Sequence, residues 1–266
     1  MNIGLMQGRL IKPKHSLIQE FPQDDWIEEL ELASSIGINL IEWVVDERSI
    51  DSNPIYYDHP KVSEALNKHA IRLESISDDY FMQGKREEIL DSTIISHLET
   101  SFHLVKALDI GLYVLPFLER TSLKNLSVRN IDKIFTSIEK ILPKNLTVCI
   151  ESDLSPKDLT ELTKRINMEK FKINYDIGNS GHEGYNYKEE LDSYFQFIFN
   201  VHVKDRKFNG PSVPLGEGDS KVFEVIEELK NLNYNRNFIL QAARDQDSDN
   251  ESLVKRYYNA VSSVIW

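Results

Sequence analysis

Short apolar runs rich in β-branched residues alternate with segments of helical periodicity along the whole chain. Eight of these runs predict strands, and they span residues 2–6, 39–45, 71–77, 112–117, 146–151, 171–176, 199–204 and 238–242. Helices are predicted between them in 24–37, 86–111 and 219–234, and a last one from about Glu251. Most neighbouring strands are therefore separated by about the length of one βα unit.

Polar residues predict where two of these helices begin. Asp24 and Asp25 precede the first apolar stripe and are expected to cap its helix, which Gly37 would end. Asp219 and Ser220 are expected to cap the helix of 219–234 in the same way.

The alternation of strands and helices favours a (β/α)8 TIM barrel over a doubly wound sheet. The segment "MNIGLMQGRL" (1–10) lacks the G-x-G-x-x-G loop that a dinucleotide-binding fold carries after its first strand. No low-complexity linker or shift in composition divides the chain. We therefore predict one TIM barrel domain over residues 1–266.

Charge narrows the range of partners. With 31 Lys and Arg against 43 Asp and Glu, the net charge is −12, which argues against a nucleic-acid surface. A small anionic substrate stays compatible with this balance, because a few local cations suffice to bind one phosphate.

The number of cysteines and the N-terminal segment indicate in which cellular compartment the protein is expected. The single cysteine, Cys149, lies in the apolar run "LTVCIE", so we expect a buried thiol and neither a disulfide nor a thiolate zinc site. The N-terminal segment has no charged leader and no long apolar run. We expect a cytoplasmic protein with no membrane partner.

In a TIM barrel the active site forms where the strands end, so the polar residues at those ends are the candidates. They are Gln7, Arg9, Glu42, Asp78, Asp79, Glu119, Glu151, Asp176, His202 and Gln241. The last four strands deliver Glu, Asp, His and Gln in order. Oxygen and imidazole donors of this kind suit one divalent metal ion, with Mn²⁺, Mg²⁺ or Co²⁺ favoured over Zn²⁺. Taken alone, His202 could equally be a hydrogen-bonded core histidine.

Several motifs together resemble one family, the xylose isomerase-like barrels of sugar and sugar-phosphate isomerases and epimerases, which includes inosose dehydratases and is related to endonuclease IV. The motifs are "MQGRL" (6–10), "IEW" (41–43), "DYFM" (79–82), "LPFLE" (115–119), "IES" (150–152), "YDIGNS" (175–180), "VHVKDR" (201–206) and "VPLGEGD" (213–219). The resemblance implies that Glu151, Asp176, His202 and Gln241 hold the metal.

The resemblance also implies a chemistry. In the family's isomerases and epimerases a metal-held ketose loses a proton beside its carbonyl and forms an enediolate, and Glu151 matches the glutamate that is both ligand and base. The epimerases use a second glutamate at the position of Gln241, and a glutamine cannot move a proton at neutral pH. Isomerisation by Glu151 alone, dehydration, or replacement of the missing acid by His182 or Asp205 all stay open.

Further residues are candidates for binding a small sugar or sugar phosphate. Asn179 and His182 lie in 176–184, which we predict to be a Gly-rich loop, and Lys204, Arg206 and Glu217 lie in a predicted long loop over 201–219. The remaining candidates are Arg9, Glu42, Asp79, Glu119 and Arg244. Arg9 and Glu42 could instead form a structural ion pair, and Arg244 could pair with Asp245 or Asp247.

Three competing functions accompany the isomerase or epimerase. An inosose-type dehydratase would use the same metal, and a non-catalytic barrel would bind a sugar or metal without turnover because Gln241 replaces the second glutamate. An apurinic-site endonuclease is disfavoured, because Asn179 follows Asp176 by three residues and no additional histidine lies at a strand end. A homo-oligomer is compatible with each of these functions.

Overall fold

The structure, a computed structural model, describes residues 1–14, 19–84, 89–243 and 249–266. Eight parallel strands form a closed barrel, as predicted. They are β1 Asn2–Met6, β2 Leu40–Val45, β3 Arg72–Asp78, β4 Leu112–Phe117, β5 Thr147–Ser152, β6 Phe171–Asp176, β7 Ile198–Val203 and β10 Asn237–Leu240. Each strand pairs with its sequence neighbours, and β1 closes the ring against β10. Two further strands, β8 Asp205–Arg206 and β9 Ser212–Val213, form a separate antiparallel pair.

The helices lie between the strands. They are α1 Trp26–Ser35, α2 Pro54–Tyr57, α3 His59–Lys68, α4 Ser92–Ala107, α5 Val128–Ile141, α6 Pro156–Thr163, α7 Ile177–Glu183, α8 Tyr187–Tyr194, α9 Val222–Asn231 and α10 Asn250–Ile265. Short 3₁₀ turns follow β3 (Asp79–Gln83) and β4 (Glu119–Thr121), and a third (Phe195–Phe197) precedes β7.

Helix α1 begins directly after Asp25, as predicted, but the capping predicted for α1 and α9 is wrong. Asp25 precedes α1, but its side chain makes no capping hydrogen bond. Lys221, with φ of 52°, precedes α9, because Ser220 turns away to donate to the Arg206 carbonyl and to accept from the Arg206 backbone N–H. Gly37 follows α1 as predicted, with φ of +88° that a glycine adopts without strain.

The predicted loop of 176–184 is also wrong, because most of it is helix α7. The Asp176 side chain accepts a hydrogen bond from the Asn179 backbone N–H and so caps the helix, which ends at Gly184 in the left-handed conformation. The cap offsets the low helix propensity of the two glycines inside this helix.

The core lies between the barrel and its helices and is largely aromatic on one side. Phe117 packs against Phe81 and Phe135, with ring centroids 4.9 and 5.4 Å away, and Phe135 packs edge-on against Phe171 at 5.2 Å. Cys149 is fully buried in β5, as expected, and burial raises the pKa of its thiol. Within the part of the chain that the structure describes, no helix is both long and apolar enough to span a membrane.

Candidate metal centre

Three neighbouring strands bring Glu151, Asp176 and His202 together at the mouth of the barrel. Glu151 lies near the end of β5, Asp176 is the last residue of β6, and His202 is the register partner of Asp176 on β7. One ligand atom from each residue lies within 4.8 Å of the other two. All three side chains are buried. We call these residues the ligand triad.

Amide groups on both sides hold the Glu151 carboxylate. Asn174 donates to its Oε2 at 2.8 Å, and Asn179 donates to its Oε1 at 2.7 Å. His202 Nδ1 lies 3.1 Å from Oε2. Because three partners fix the carboxylate, Glu151 presents its oxygens in one defined orientation.

Asp176 divides its two oxygens between different partners. Oδ1 accepts the capping hydrogen bond from the Asn179 backbone N–H at 2.8 Å. Oδ2 lies 2.6 Å from the Lys204 ammonium, and both side chains are largely buried. The helix cap therefore fixes the position of Asp176 independently of the ion pair.

A buried carboxylate orients the His202 ring. His202 Nε2 lies 2.6 Å from Glu42 Oε1, and both side chains are fully buried. Because Nε2–H donates to Glu42, the other nitrogen, Nδ1, is the one that faces the ligand triad. This arrangement matches the carboxylate–histidine–metal pattern of protein metal sites.

Below the ligand triad, the barrel interior is polar rather than apolar. Glu42 Oε2 accepts hydrogen bonds from Ser75 at 2.7 Å and from Asn200 at 2.8 Å. Asn200 also donates to Asn174 at 2.9 Å, and Asn174 in turn donates to Glu151. We call Glu42, Ser75, Asn174 and Asn200 the interior polar column. The column connects β2, β3, β6 and β7 beneath the site.

Burial disfavours charge in the ligand triad, and the neighbouring groups decide each pKa. Burial would raise the pKa of Glu151, but the hydrogen bond and charge of His202, with the charge of Lys204, lower it. Burial raises the pKa of Asp176, although Lys204 acts in the opposite direction. Burial would lower the pKa of His202, but Glu42 and Glu151 raise it to about 10. Glu151 is therefore an ionised carboxylate at neutral pH.

Gln241 follows β10, where its backbone N–H donates to the Val203 carbonyl at 3.0 Å. Its side-chain Oε1 is buried and has no hydrogen-bond partner among the described residues. An amide oxygen left without a donor is a suitable ligand for a hard cation. The ligand triad supplies two carboxylates and one imidazole nitrogen, which are donors that a divalent metal ion accepts.

The chain matches known proteins over most of its length. Residues 30–257 match the family described as xylose isomerase-like TIM barrels. The chain belongs to this family. An uncharacterized protein of Methanocaldococcus jannaschii, MJ1311, is 25% identical over 116 residues, which are 42% of this chain and 40% of that protein. The match thus spans less than half of that relative's length.

Solved structures of xylose isomerase-like barrels show the same fold. A crystal structure of the IOLI protein with a bound zinc atom has a TM-score of 0.76 at 15% identity, covering 100% of this chain and 98% of that chain. D-psicose 3-epimerase from Clostridium cellulolyticum H10, with D-tagatose, has a TM-score of 0.69 at 12% identity, covering 100% of this chain and 99% of that chain.

Other predicted residues of this xylose isomerase-like barrel also lie near the ligand triad. Asn179 bridges Glu151 and Arg206, because its side-chain oxygen accepts from Arg206 Nη1 at 3.0 Å. Arg206 Nη2 also donates to the Gly210 carbonyl at 3.1 Å, and His182 Nδ1 lies 3.1 Å from the same oxygen. These contacts tie the β8–β9 hairpin to α7 and to Glu151.

Asp79 is half-buried at the start of the turn after β3, where Ser77 lies 3.5 Å from its carboxylate. Burial, together with the charges of Glu151 and Asp78, raises the pKa of Asp79 to about 7. Asp79 is therefore close enough to sense the charge of Glu151 at the mouth.

Three predicted site residues make no contact with the ligand triad among the described residues, and a fourth lies outside the described part of the chain. Glu119 and Glu217 are exposed. Arg9 is buried and donates to Gln19. Arg244 lies outside the described residues. Asp205, which we considered as a replacement acid, is instead the acceptor for the backbone N–H groups of Gly216, Gly218 and Ser220.

Asn174 and Asn200 were not predicted. Asn174 contacts Glu151 and His202 of the ligand triad, and Asn200 donates to Asn174 and to Glu42 behind it. Each lies two positions before a ligand on the same strand, Asn174 before Asp176 and Asn200 before His202. Side chains two residues apart on a strand point to the same face. Reading back two residues from each ligand would have identified them.

Proposed function

We propose that the protein is a divalent-metal-dependent isomerase or epimerase of a small sugar or sugar phosphate. The observation that carries this proposal is the approach of Glu151, Asp176 and His202 to within 4.8 Å of one another at the barrel mouth. Glu151, Asp176, His202 and Gln241 would hold the metal. Once bound, a divalent ion would supply Lewis acidity that lowers the pKa of a C–H bond beside a substrate carbonyl.

Glu151 is the base in this proposal. The carboxylate takes the proton from the carbon beside the carbonyl, which leaves an enediolate, and returns it to the adjacent carbon. Asn174 and Asn179 hold its two oxygens, so the carboxylate does not have to reorient during the reaction. Transfer by one base on one face of the substrate converts a ketose into an aldose.

Gln241 favours this one-base isomerisation over two-base epimerisation. Epimerisation by two bases needs an acid on the opposite face of the substrate, and an amide side chain cannot supply a proton there. Asp205 is committed to three backbone N–H groups, and His182 contacts the Gly210 carbonyl. These contacts argue against either residue as a replacement for the missing glutamate.

A dehydratase of the inosose type is the second candidate, and the same feature favours it. Abstraction of the proton beside a carbonyl by Glu151, followed by loss of hydroxide from the next carbon, needs one base on one face. The product has lost one water, whereas isomerisation conserves the mass of the substrate.

Hydrogen exchange tests the proposal directly. The Mn²⁺-loaded protein is incubated in D₂O with a panel of ketoses, ketose phosphates and inososes, and deuterium uptake is followed by NMR. We expect deuterium at a carbon beside the carbonyl, with product mass separating isomerisation from dehydration. Glu151→Gln should abolish exchange while Mn²⁺ binding is only weakened, and full exchange in that variant would rule out Glu151 as the base.

A Gln241→Glu variant is the matched comparison. If the wild type exchanges no substrate proton but this variant does, the wild-type barrel binds a sugar or metal without turnover. If neither protein exchanges, the proposed sugar chemistry is wrong.

A further inference from the structure

Lys204 is a third charged side chain at the centre of the site. It lies two residues after His202, so its side chain points to the same interior face as His202. Only 8% of Lys204 is exposed, and its Nζ lies 2.6 Å from Asp176 Oδ2. A buried ammonium therefore contacts a carboxylate of the ligand triad.

Gly178 makes room for the lysine side chain. A Cβ atom at position 178 would lie 2.9 Å from Lys204 Cγ and 3.0 Å from both Cβ and Cε. The first distance is shorter than real Cβ contacts and the other two are tighter than most, so the lysine stem lies directly over the Gly178 backbone. Because Gly178 is in α7, the first turn of this helix holds the stem while Asp176 caps the same turn.

We propose that Lys204 is a positioning residue that shares Asp176 with the metal ion and thereby weakens metal binding. The ammonium neutralises part of the negative charge that Asp176 would otherwise offer to a divalent ion. With Gln241 neutral, a bound divalent ion together with Glu151, Asp176 and Lys204 would carry one positive charge, which the buried Glu42 carboxylate beside His202 balances.

This inference rests on the proposed function only in requiring a divalent ion, so it is tested without a substrate. Mn²⁺ is titrated into the full-length protein by calorimetry, and the spin-resonance signal of free Mn²⁺ is followed in parallel. Removal of the cation in Lys204→Met should tighten Mn²⁺ binding by about tenfold, because one unit of positive charge leaves the neighbourhood of the ion. A residue that served only to stabilise the fold would not produce tighter metal binding on removal.

Lys124 provides the matched control. It is also partly buried and paired with carboxylates, since its Nζ lies 2.7 Å from Glu183 and 3.7 Å from Asp153. Neither partner belongs to the ligand triad, so Lys124→Met should leave Mn²⁺ affinity unchanged. Equal tightening in both lysine variants would overturn the inference, because it would reflect net charge rather than Asp176.

Gly178→Ala provides an independent variant that keeps the charge. Its new methyl group should push Lys204 away from Asp176 and tighten Mn²⁺ binding, by a smaller factor than Lys204→Met does. Gly178→Ala serves as the deciding variant if Lys204→Met does not fold. If Lys204→Met folds and its Mn²⁺ affinity is unchanged or lower, the inference is overturned. If Lys204→Met does not fold, the same result in Gly178→Ala overturns it. If neither the wild type nor the variants bind Mn²⁺, the proposed function fails as well. If the wild type binds but the variants do not differ from it, only the role of Lys204 fails.

Discussion

Glu42 Oε1 lies 2.6 Å from His202 Nε2, and both side chains are fully buried inside the barrel. We included Glu42 among the candidates for substrate binding, but this contact favours a role in holding the histidine. A ligating histidine whose second nitrogen donates to a carboxylate is more basic and better oriented than one without that partner.

Glu42→Gln tests this role. The variant keeps the shape of the side chain but loses the negative charge, and it places an amide group near the donors Ser75 and Asn200. We expect Mn²⁺ binding to weaken by about ten- to a hundredfold, as for other partners of metal ligands. Calorimetric titration measures the affinity, and circular dichroism verifies the fold. The exposed Glu99→Gln on α4 is the control, and equal affinities in the two variants would contradict the prediction.

Asn179→Ala tests how far the orientation of Glu151 matters. The substitution removes the hydrogen bond to Glu151 Oε1 at 2.7 Å but keeps the backbone N–H that Asp176 caps. Hydrogen bonds to charged groups contribute about 1.5–3 kcal/mol, so we expect substrate exchange to slow by about ten- to a hundredfold. The rate of deuterium uptake measures the effect. The control Asn130→Ala, on the exposed face of α5, should take up deuterium into substrate at the wild-type rate. An equal rate for Asn179→Ala would refute the role of Asn179 in orienting Glu151.

Gly218→Ala tests the loop that Asp205 organises. A Cβ atom at position 218 would lie 1.9 Å from Asp205 Oδ1 and 2.7 Å from the Arg206 carbonyl oxygen, so the loop has to move. We expect the free energy of unfolding to fall by about 1–3 kcal/mol, as for other overpacked sites. Urea unfolding measures the change. Gly111→Ala is the control, because a Cβ there meets nothing within 4 Å. Similar stabilities of the two variants would show that the loop accommodates the methyl group.

Glu190 predicts a pH-dependent contribution to stability. The residue is buried in α8 and accepts hydrogen bonds from Tyr175 and Tyr194 at 2.8 Å each and from Ser180. Burial raises the pKa of Glu190, so the folded state keeps a proton at pH values where the unfolded chain has lost it. This contribution is fully present below the usual glutamate pKa of about 4.3 and is lost as the pH rises through the raised value.

The comparison with Glu190→Gln isolates that contribution. The free energy of unfolding of the wild type minus that of the variant should decrease as the pH rises above about 4.3 and level off once the pH exceeds the raised pKa of Glu190. Urea unfolding of both proteins at several pH values measures the difference. The exposed control variant Glu227→Gln on α9 should parallel the wild type at every pH. A difference between wild type and Glu190→Gln that stays constant with pH would contradict a raised pKa.

The strands could be predicted from the sequence because a parallel barrel buries both faces of each strand. All six residues of β2 are buried, and five of them are apolar, with Glu42 as the exception. Helix α7 could not be predicted in the same way. Two glycines indicate a loop, but Gly181 is required by packing, since a Cβ there would lie 2.5 Å from the Ser220 Cα. A contact between residues so far apart in the chain leaves no local pattern.

The meeting of Glu151, Asp176 and His202 was predictable because each lies at or next to the end of an apolar run. The depth of Glu42 was not predicted, although the predicted strand of 39–45 already continues three residues beyond it, as β2 does. How deep a residue lies in the barrel depends on the stagger between strands, which a single sequence does not contain.

Asp176 belongs to two structures at once, since one carboxylate caps α7 and faces the metal centre. Selection for a stable fold and selection for a bound ion therefore act on the same side chain. A descendant that had stopped using metal would still gain from Asp or Asn at this position, because both cap helices well. Glu151 caps no helix, so its loss would be the earlier sign that a related barrel had abandoned the chemistry.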